Sequence, residues 1–178
     1  MTEPPAGWIV DTNVISRPSA TKDDPDPPAS RWIRRNAHPI RISAVTIAEI
    51  RRGLALETLR IERLKDPRAR RRDQAVLDIK ADWYGHLRSR FADRIVSIDA
   101  DVAERWADVS VRFPSIRDGD KAILASALVH RYGIATRNRS DFKPSSVPLV
   151  DPFDPATRWD DDPGPDRPPS GSLIDVTP

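Results

Sequence analysis

Apolar residues along the chain fall into short runs, separated by longer stretches with helical spacing. The short runs have the length and composition of strands, the last of them an edge strand: 9–11, 39–43, 94–99, 133–136 and 147–151. Apolar residues at three- and four-residue intervals predict helices over about 43–65, 68–91, 100–113 and 120–132. Because strands alternate with helices, we predict an α/β protein, a three-layer α/β/α fold around a central, mostly parallel sheet of about four to five short strands.

Two polar, proline-rich segments lie outside this alternation. Residues 17–30 predict a long loop. From about Pro155 the chain is rich in Pro, Asp, Gly and Ser and nearly free of apolar side chains, so burial cannot offset the entropy lost on ordering. We therefore predict one domain over residues 1–154, followed by a flexible tail over 155–178.

The net charge of +2 conceals a strong asymmetry along the chain. Residues 151–178 contain seven acidic residues and two arginines, which leaves a net charge of +7 on residues 1–150. A basic body of this kind favours a polyanionic partner such as nucleic acid, although a merely soluble, arginine-rich surface fits the charge equally well.

The amino-acid composition also limits the cellular compartment in which the protein is expected and the kinds of site that it can form. The chain has no cysteine, which excludes disulfides, cysteine-based zinc sites and a thiol nucleophile. No apolar stretch reaches the length of a membrane helix, and the start MTEPPAGW lacks the features of a signal peptide. We therefore expect a protein of the cytoplasm, with no membrane partner.

Four acidic residues occupy positions that the predicted fold would bring together. Asp11 ends the first strand, Glu49 lies two turns into the helix after the second strand, and Asp120 opens the buried helix. Asp141 follows the fourth strand, where an ordinary turn residue would also fit. Because ligands bind at the carboxyl ends of strands in such sheets, we expect these acids to meet at that edge.

The first three acids each have an ordinary structural explanation as well. Asp11 is a favoured residue for capping the next helix, and Thr46 with Glu49 has the spacing of a capping box. Asp120 would complement a helix dipole, with Asp118 as the cap. No single position decides between a structural and a chemical role.

Taken together, the acids indicate a cation site. Like charges gathered in a cleft raise one another's pKa values, and a divalent cation removes that penalty. Oxygen ligands favour Mg²⁺ or Mn²⁺ over zinc, because the chain has no cysteine and its three histidines are scattered. The seven glycines form no phosphate-binding loop.

Four segments occur in the order and at the separations of a known family. They are IVDTNVIS (9–16), ISAVTIAEIRRGL (42–54), DKAILASALVHRYGIATRNRSDF (120–142) and PLVDPF (148–153). Together they resemble the motifs of PIN-domain ribonucleases, in particular the VapC-type toxins of bacterial toxin–antitoxin pairs. Each motif alone is weakly specific, whereas the ordered set over about residues 7–154 is strongly specific.

The resemblance implies a metal-dependent endoribonuclease that hydrolyses RNA phosphodiester bonds with Mg²⁺ or Mn²⁺. It assigns the catalytic and metal-binding roles to Asp11, Glu49, Asp120 and Asp141. Some relatives carry an acid at the position of Asn138, so either Asp141 or Asn138 completes the set. The positions that support the site in the family correspond to Asn13, Ser43, Thr136, Arg137 and Asn138.

The resemblance also implies partners. A VapB-type antitoxin would dock on the helix 43–65, with Leu54, Leu56 and Leu59 as candidate contacts that also fit ordinary core packing. Homodimers are common in the family. The basic residues near the motifs, each of which alone also fits a solvated surface, are expected to contact the RNA backbone: Arg51, Arg52, Arg137, Arg139 and Lys143.

Two other functions remain compatible with the residues. A different metal-dependent phosphoesterase, acting on DNA, would use the same four acids. A non-catalytic RNA-binding regulatory module would keep the fold, although such a module has no need to gather acids in one place.

Overall fold

A computed structural model describes the protein over residues 5–16, 28–36, 39–143 and 145–154. Only the last three residues of the predicted loop at 17–30 are therefore described. The predicted tail over 155–178 lies outside the described residues, so the domain boundary at 154 stays a prediction. In the described part of the chain, no helix combines the length and apolarity needed to cross a membrane.

A five-stranded sheet forms the centre of the molecule, and every pair of neighbouring strands in it is parallel. The strand order is β3-β2-β1-β4-β5. The prediction of a mostly parallel sheet of four to five strands is thus confirmed. In chain order, the strands are β1 (Trp8–Val10), β2 (Ile40–Ser43), β3 (Ile95–Val96), β4 (Gly133–Ala135) and β5 (Leu149–Val150).

The register of the central strands brings their carboxyl ends to one edge. Val10 at the end of β1 is level with Ile42 of β2 on one side and with Ala135 of β4 on the other. The residues that follow, Asp11 after β1 and Thr136 after β4, therefore emerge side by side. This edge is where ligands bind in parallel sheets.

Four long helices confirm the predicted ones, with ends that differ by at most a few residues. A further helix over 28–35 was not predicted from the sequence. In chain order, the helices are α1 (Thr12–Ile15), α2 (Pro28–Arg35), α3 (Ala44–Glu62), α4 (Pro67–Arg90), α5 (Ala100–Arg112), α6 (Asp118–His130) and α7 (Arg139–Phe142).

Both faces of the sheet are covered, which confirms the three-layer α/β/α arrangement. Ile9 belongs to a core that includes residues of α5 and α6, whereas its neighbour Val10 belongs to a second core with residues of α2 and α4. Successive residues of a strand point to opposite faces, so a strand buried on both sides is apolar at every position. This is why the run Trp8–Val10 shows no polar alternation.

The prediction that residues 28–30 belong to a loop is wrong. They begin α2, whose Ala29, Trp32 and Ile33 are buried against the sheet. Pro28 starts the helix, a position that tolerates proline because the first helical N–H groups have no intrahelical partner. The end of the proline-rich stretch therefore belongs to a helix.

The predicted strand over 94–99 is also shorter than expected, since β3 covers only Ile95 and Val96. Asp99 belongs to the next element: its carboxylate accepts a hydrogen bond from the Val102 N–H at 3.0 Å and caps α5. The apolar run continued through Ile98, but Ile98 is exposed. The strand therefore stops where the chain turns into the helix.

Two of the structural alternatives considered for the acids do not hold. The cap of α3 is Ser43, whose hydroxyl accepts from the Val45 N–H at 3.2 Å, so Thr46 and Glu49 do not form the capping box. The residue before α6 is Arg117, which places Asp118 inside the first turn. Neither correction was visible in the sequence, because several suitable capping residues lay within one turn of each other.

Helices α3 and α4 form a helical hairpin with a small core of its own. Leu54, Ile61 and Leu77 pack together there, apart from the two main cores. Of the leucines predicted to contact an antitoxin, Leu54 is therefore an internal residue of the hairpin. Leu56 and Leu59 are 50% and 48% exposed.

Candidate active site

Asp11 is the buried centre of the carboxyl edge, with 5% of its surface exposed. Its Oδ2 atom accepts hydrogen bonds from the Thr136 hydroxyl and the Asn13 side-chain amide, both at 2.7 Å. Asp11 precedes α1, but its side chain makes no capping hydrogen bond there. The side chain contacts the adjacent strand end through Thr136, and the backbone N–H groups of Thr12 and Asn13 at the start of α1 also act to lower its pKa.

A compact network holds the groups that bind Asp11. The Asn13 amide also donates to the Thr136 hydroxyl at 3.2 Å, and its Oδ1 accepts from the Arg137 N–H at 3.2 Å. The Asn138 N–H donates to the Thr136 hydroxyl at 3.0 Å. Asn13 and Thr136 therefore touch Asp11 directly, whereas Arg137 and Asn138 act on it through their backbone.

Glu49 approaches the same edge from α3. The Thr12 hydroxyl, which follows Asp11 directly, donates to Glu49 Oε2 at 2.5 Å. On the other side lies Gly119 in the first turn of α6, where an added Cβ would stand 2.8 Å from Glu49 Oε1. The absence of a side chain at Gly119 lets the start of α6, and with it Asp120, lie against Glu49.

Asp120 and Asp141 are joined by an arginine that the sequence analysis did not single out. Arg117 donates from Nε to Asp120 Oδ2 at 2.8 Å, and its terminal nitrogen lies 2.8 Å from the same oxygen. That nitrogen also lies 3.2 Å from Asp141 Oδ2. Asp118 is turned away from this group, with Lys121 Nζ at 3.0 Å.

The pKa values show that these acids share one electrostatic field. Burial raises the pKa of the Asp11 carboxyl, and the charge of Glu49 acts in the same direction against the hydrogen bond from Thr136. Burial likewise raises the pKa of Asp120; the charge of Arg117 opposes this, whereas the charges of Asp11 and Asp141 add to it. The structure therefore brings the four predicted acids together.

Arg117 takes the place of a cation at this site. Its pKa is raised, chiefly by the charge of Asp120, with further contributions from Asp141 and Asp11. Within the described ranges, no group of three Asp, Glu or His side chains is arranged to hold a metal ion. The donor set, carboxylate oxygens with two buried members, still has the chemistry that suits Mg²⁺ or Mn²⁺.

The remaining predicted residues differ in their burial and in their distance from the acids. Ser43 is fully buried, and its hydroxyl accepts from the Val45 N–H and caps α3. Arg52 follows Glu49 by three positions on α3 and shares its face, whereas Arg51 does not. The predicted phosphate-contacting residues are all exposed: Arg51, Arg52, Arg137, Arg139 and Lys143.

Thr12 and Arg117 are the two site residues that sequence reasoning missed. Arg117 precedes Asp120 by three positions, a spacing that brings charged side chains together at the start of a helix. That signal was present in the sequence but is common on helix surfaces. Thr12 contacts Glu49, which lies 37 positions further along the chain, so no local sequence pattern predicts the contact.

Comparisons with known proteins agree with this geometry. The family model of the PIN domain matches residues 8–143. A VapC ribonuclease of Sinorhizobium fredii, Y4jK, is 29% identical and aligns with 83% of this chain and 99% of its own length. The toxin FitB of Neisseria gonorrhoeae is 29% identical over 82% of this chain and 97% of its own.

The fold has a matching solved structure. The crystal structure of FitAcB from Neisseria gonorrhoeae superposes with a TM-score of 0.59 at 27% identity, covering 82% of this chain and 98% of that one. The family model extends from β1 to the residue after α7 and so includes all four acids. The chain therefore belongs to the PIN-domain family, as the four motifs of its sequence predicted.

Proposed function

We propose that this protein is an endoribonuclease that depends on Mg²⁺ or Mn²⁺ and acts as the toxin of a toxin–antitoxin pair. The observation that carries the proposal is the convergence of Asp11, Glu49, Asp120 and Asp141 on one sheet edge, where burial raises the pKa of two of them. The names of the relatives, a VapC ribonuclease and the toxin FitB, support this chemistry.

Asp11, Glu49 and Asp120 would hold the cation, with Asp141 at the rim of the site. When bound, the ion stabilises negative charge on the phosphoryl group and makes water a better nucleophile. Thr136 and Asn13 hold the Asp11 carboxylate in one orientation, and Thr12 does the same for Glu49. Fixed donors of this kind need no reorganisation during the reaction.

The basic residues beside the acids would hold the RNA backbone. Arg137, Arg139 and Lys143 flank α7, which carries Asp141, and Arg52 shares the face of Glu49. Arg137 also stacks over the Phe153 ring, 4.8 Å from its centre, which restricts its side chain.

An antitoxin partner follows from the same comparison. The solved structure of FitAB bound to a DNA fragment matches 83% of this chain at 26% identity. In this chain, the half-exposed Leu56 and Leu59 of α3 offer apolar surface for such a partner. A toxin that acts on cellular RNA would work in the cytoplasm.

The test incubates the purified chain with RNA and, separately, with DNA of the same sequence, in Mn²⁺ and in EDTA. We expect RNA cleavage in Mn²⁺ alone. Cleavage of DNA in preference to RNA would instead favour the phosphoesterase, and Mn²⁺ binding without cleavage of either would favour the non-catalytic module.

We expect Thr12→Val to lower kcat/KM for RNA about threefold to tenfold, because a hydrogen bond to a charged group at a partly exposed site contributes roughly 1 kcal/mol. Thr12→Ser keeps the hydroxyl and serves as the matched control. Kinetics of a fluorescent RNA substrate would measure both variants. A loss for serine without a loss for valine would show that the methyl group matters and the hydroxyl does not.

A further inference from the structure

The turn between α3 and α4 carries a dense cluster of positive charge. Residues 62–72 contain six basic residues and two acidic ones. Arg63, Lys65, Arg68 and Arg71 are all exposed, and we call these four residues the basic tip. The predicted phosphate contacts are all basic residues near the acids, so this cluster has no role so far.

Two acids on the hairpin beside the basic tip, Asp73 and Glu57, are engaged with other cations. Asp73 lies 3.0 Å from both Arg60 and Arg72, whose hydrogen bonds lower its pKa. Glu57 lies 2.7 Å from Lys80. Among the residues that the structure describes, none of the four members of the basic tip forms an ion pair.

The turn is also held in a defined shape. The Asp66 carboxylate accepts from the Arg68 N–H at 2.9 Å and caps α4, and Pro67 occupies the first position of that helix. Arg70 donates to the carbonyl oxygens of Glu62 and Leu64 at 3.3 and 2.6 Å. The four cations are therefore presented on a rigid turn, although their mutual repulsion disfavours it.

The surroundings of the basic tip favour a nucleic acid over a protein partner. Protein interfaces have an apolar core depleted in charge. Within the described hairpin, the large exposed apolar residues lie outside 62–72, further from the turn: Leu56, Leu59, Val76 and Ile79. A surface of cations that form no ion pairs matches a phosphate backbone.

We propose that the basic tip is a second RNA-binding site, which contacts phosphates far from the cleaved bond. Thirteen residues of continuous helix separate Glu49 from Glu62 at the end of α3, which corresponds to about 20 Å at roughly 1.5 Å per residue. The inference rests on the proposed function and adds the substrate class. The preferred substrate is a long or folded RNA that spans this distance.

The test measures RNA binding by fluorescence anisotropy in EDTA, where no metal-dependent cleavage occurs. Bulk tRNA is the long probe. The short probe is a five-nucleotide RNA, which reaches only about 7 Å to either side of its centre at roughly 3.4 Å per stacked nucleotide. The variant combines Arg63→Ala, Arg68→Ala and Arg71→Ala, and the control combines Arg88→Ala, Arg105→Ala and Arg112→Ala, with the same change in net charge.

For the tip variant, we expect tRNA affinity to fall at least about tenfold and the slope of log K against log salt to decrease by about 2 to 3. Its affinity for the short probe should stay within about twofold of the parent's, as should both affinities of the control variant. Circular dichroism and thermal unfolding check that both variants fold.

Three results would overturn the proposal: unchanged tRNA affinity in the tip variant, an equal loss in the control variant, or an equal loss for the short probe. The proposed nuclease is tested apart from this, by Mn²⁺-dependent cleavage of tRNA by the unaltered chain. Binding that depends on the tip without such cleavage would retain the RNA site and remove the nuclease.

Discussion

Asp11→Asn is expected to abolish metal-dependent cleavage of RNA, with kcat/KM lowered at least about a thousandfold, or roughly 4 kcal/mol of transition-state stabilisation. Asp11 is one of the two buried acids of the four and accepts both side-chain hydrogen bonds through one oxygen. Asparagine retains an acceptor oxygen for Thr136 and Asn13 but loses the charge that a cation requires. The measurement is cleavage kinetics of a fluorescent RNA in Mn²⁺.

The same substitution is expected to stabilise the protein in EDTA. A carboxyl whose pKa is raised by folding binds more protons when folded than when unfolded, so the free energy of unfolding decreases as pH rises above the ordinary carboxyl value of about 4. The advantage of Asp11→Asn should be largest at neutral pH and shrink on acidification. Each 1 kcal/mol gained would raise the unfolding temperature by about 2–4 °C.

Asp82→Asn is the matched control. Asp82 is exposed on α4, so this variant carries the same substitution at a position away from the site. It should leave cleavage unchanged. Retained cleavage by Asp11→Asn would contradict the assigned site. Loss of cleavage together with lower stability would point to a structural role for Asp11 instead.

Arg117→Ala is expected to increase the affinity for Mn²⁺ at least about tenfold, or roughly 1.4 kcal/mol. The guanidinium lies within 3.2 Å of oxygens of both Asp120 and Asp141, so an incoming cation must displace it. Removing Arg117 also leaves the buried Asp120 charge without its partner, which should lower the free energy of unfolding in EDTA. Added Mn²⁺ should restore that stability.

Isothermal titration calorimetry with Mn²⁺ measures the affinity directly, independent of any cleavage. Arg105→Ala is the control, because Arg105 pairs with Asp108 on the surface of α5 at 3.7 Å. An unchanged or weaker Mn²⁺ affinity in Arg117→Ala would show that Arg117 assists cation binding and does not compete with it.

The expected results for Asp11→Asn and Arg117→Ala have one physical explanation. The site concentrates negative charge at the cost of stability, and Arg117 offsets part of that cost when no other cation is present. Functional sites commonly sacrifice stability in this way. The raised pKa values of Asp11 and Asp120 are the sign of this cost in the folded chain.

Local pattern was sufficient for most of the fold. The continuous apolar run of β1 and the all-round apolar α6 belong to elements buried on every side, and both were recognisable without any tertiary information. The pattern failed at α2 and β3. The amphipathic helix α2 follows prolines that are typical of a loop. After β3, the carboxylate of Asp99 caps α5, so the residues before it do not continue the strand.

By itself, the sequence determined the alternation of strands and helices, the family, and the positions of four acids at the ends of elements, because each depends on spacing along the chain. Only the tertiary structure decided which groups touch those acids. Thr136 reaches Asp11 across 125 positions, and Thr12 reaches Glu49 across 37. Such contacts, like the bridge that Arg117 makes to Asp141, depend on strand register and helix packing, which no short stretch of sequence encodes.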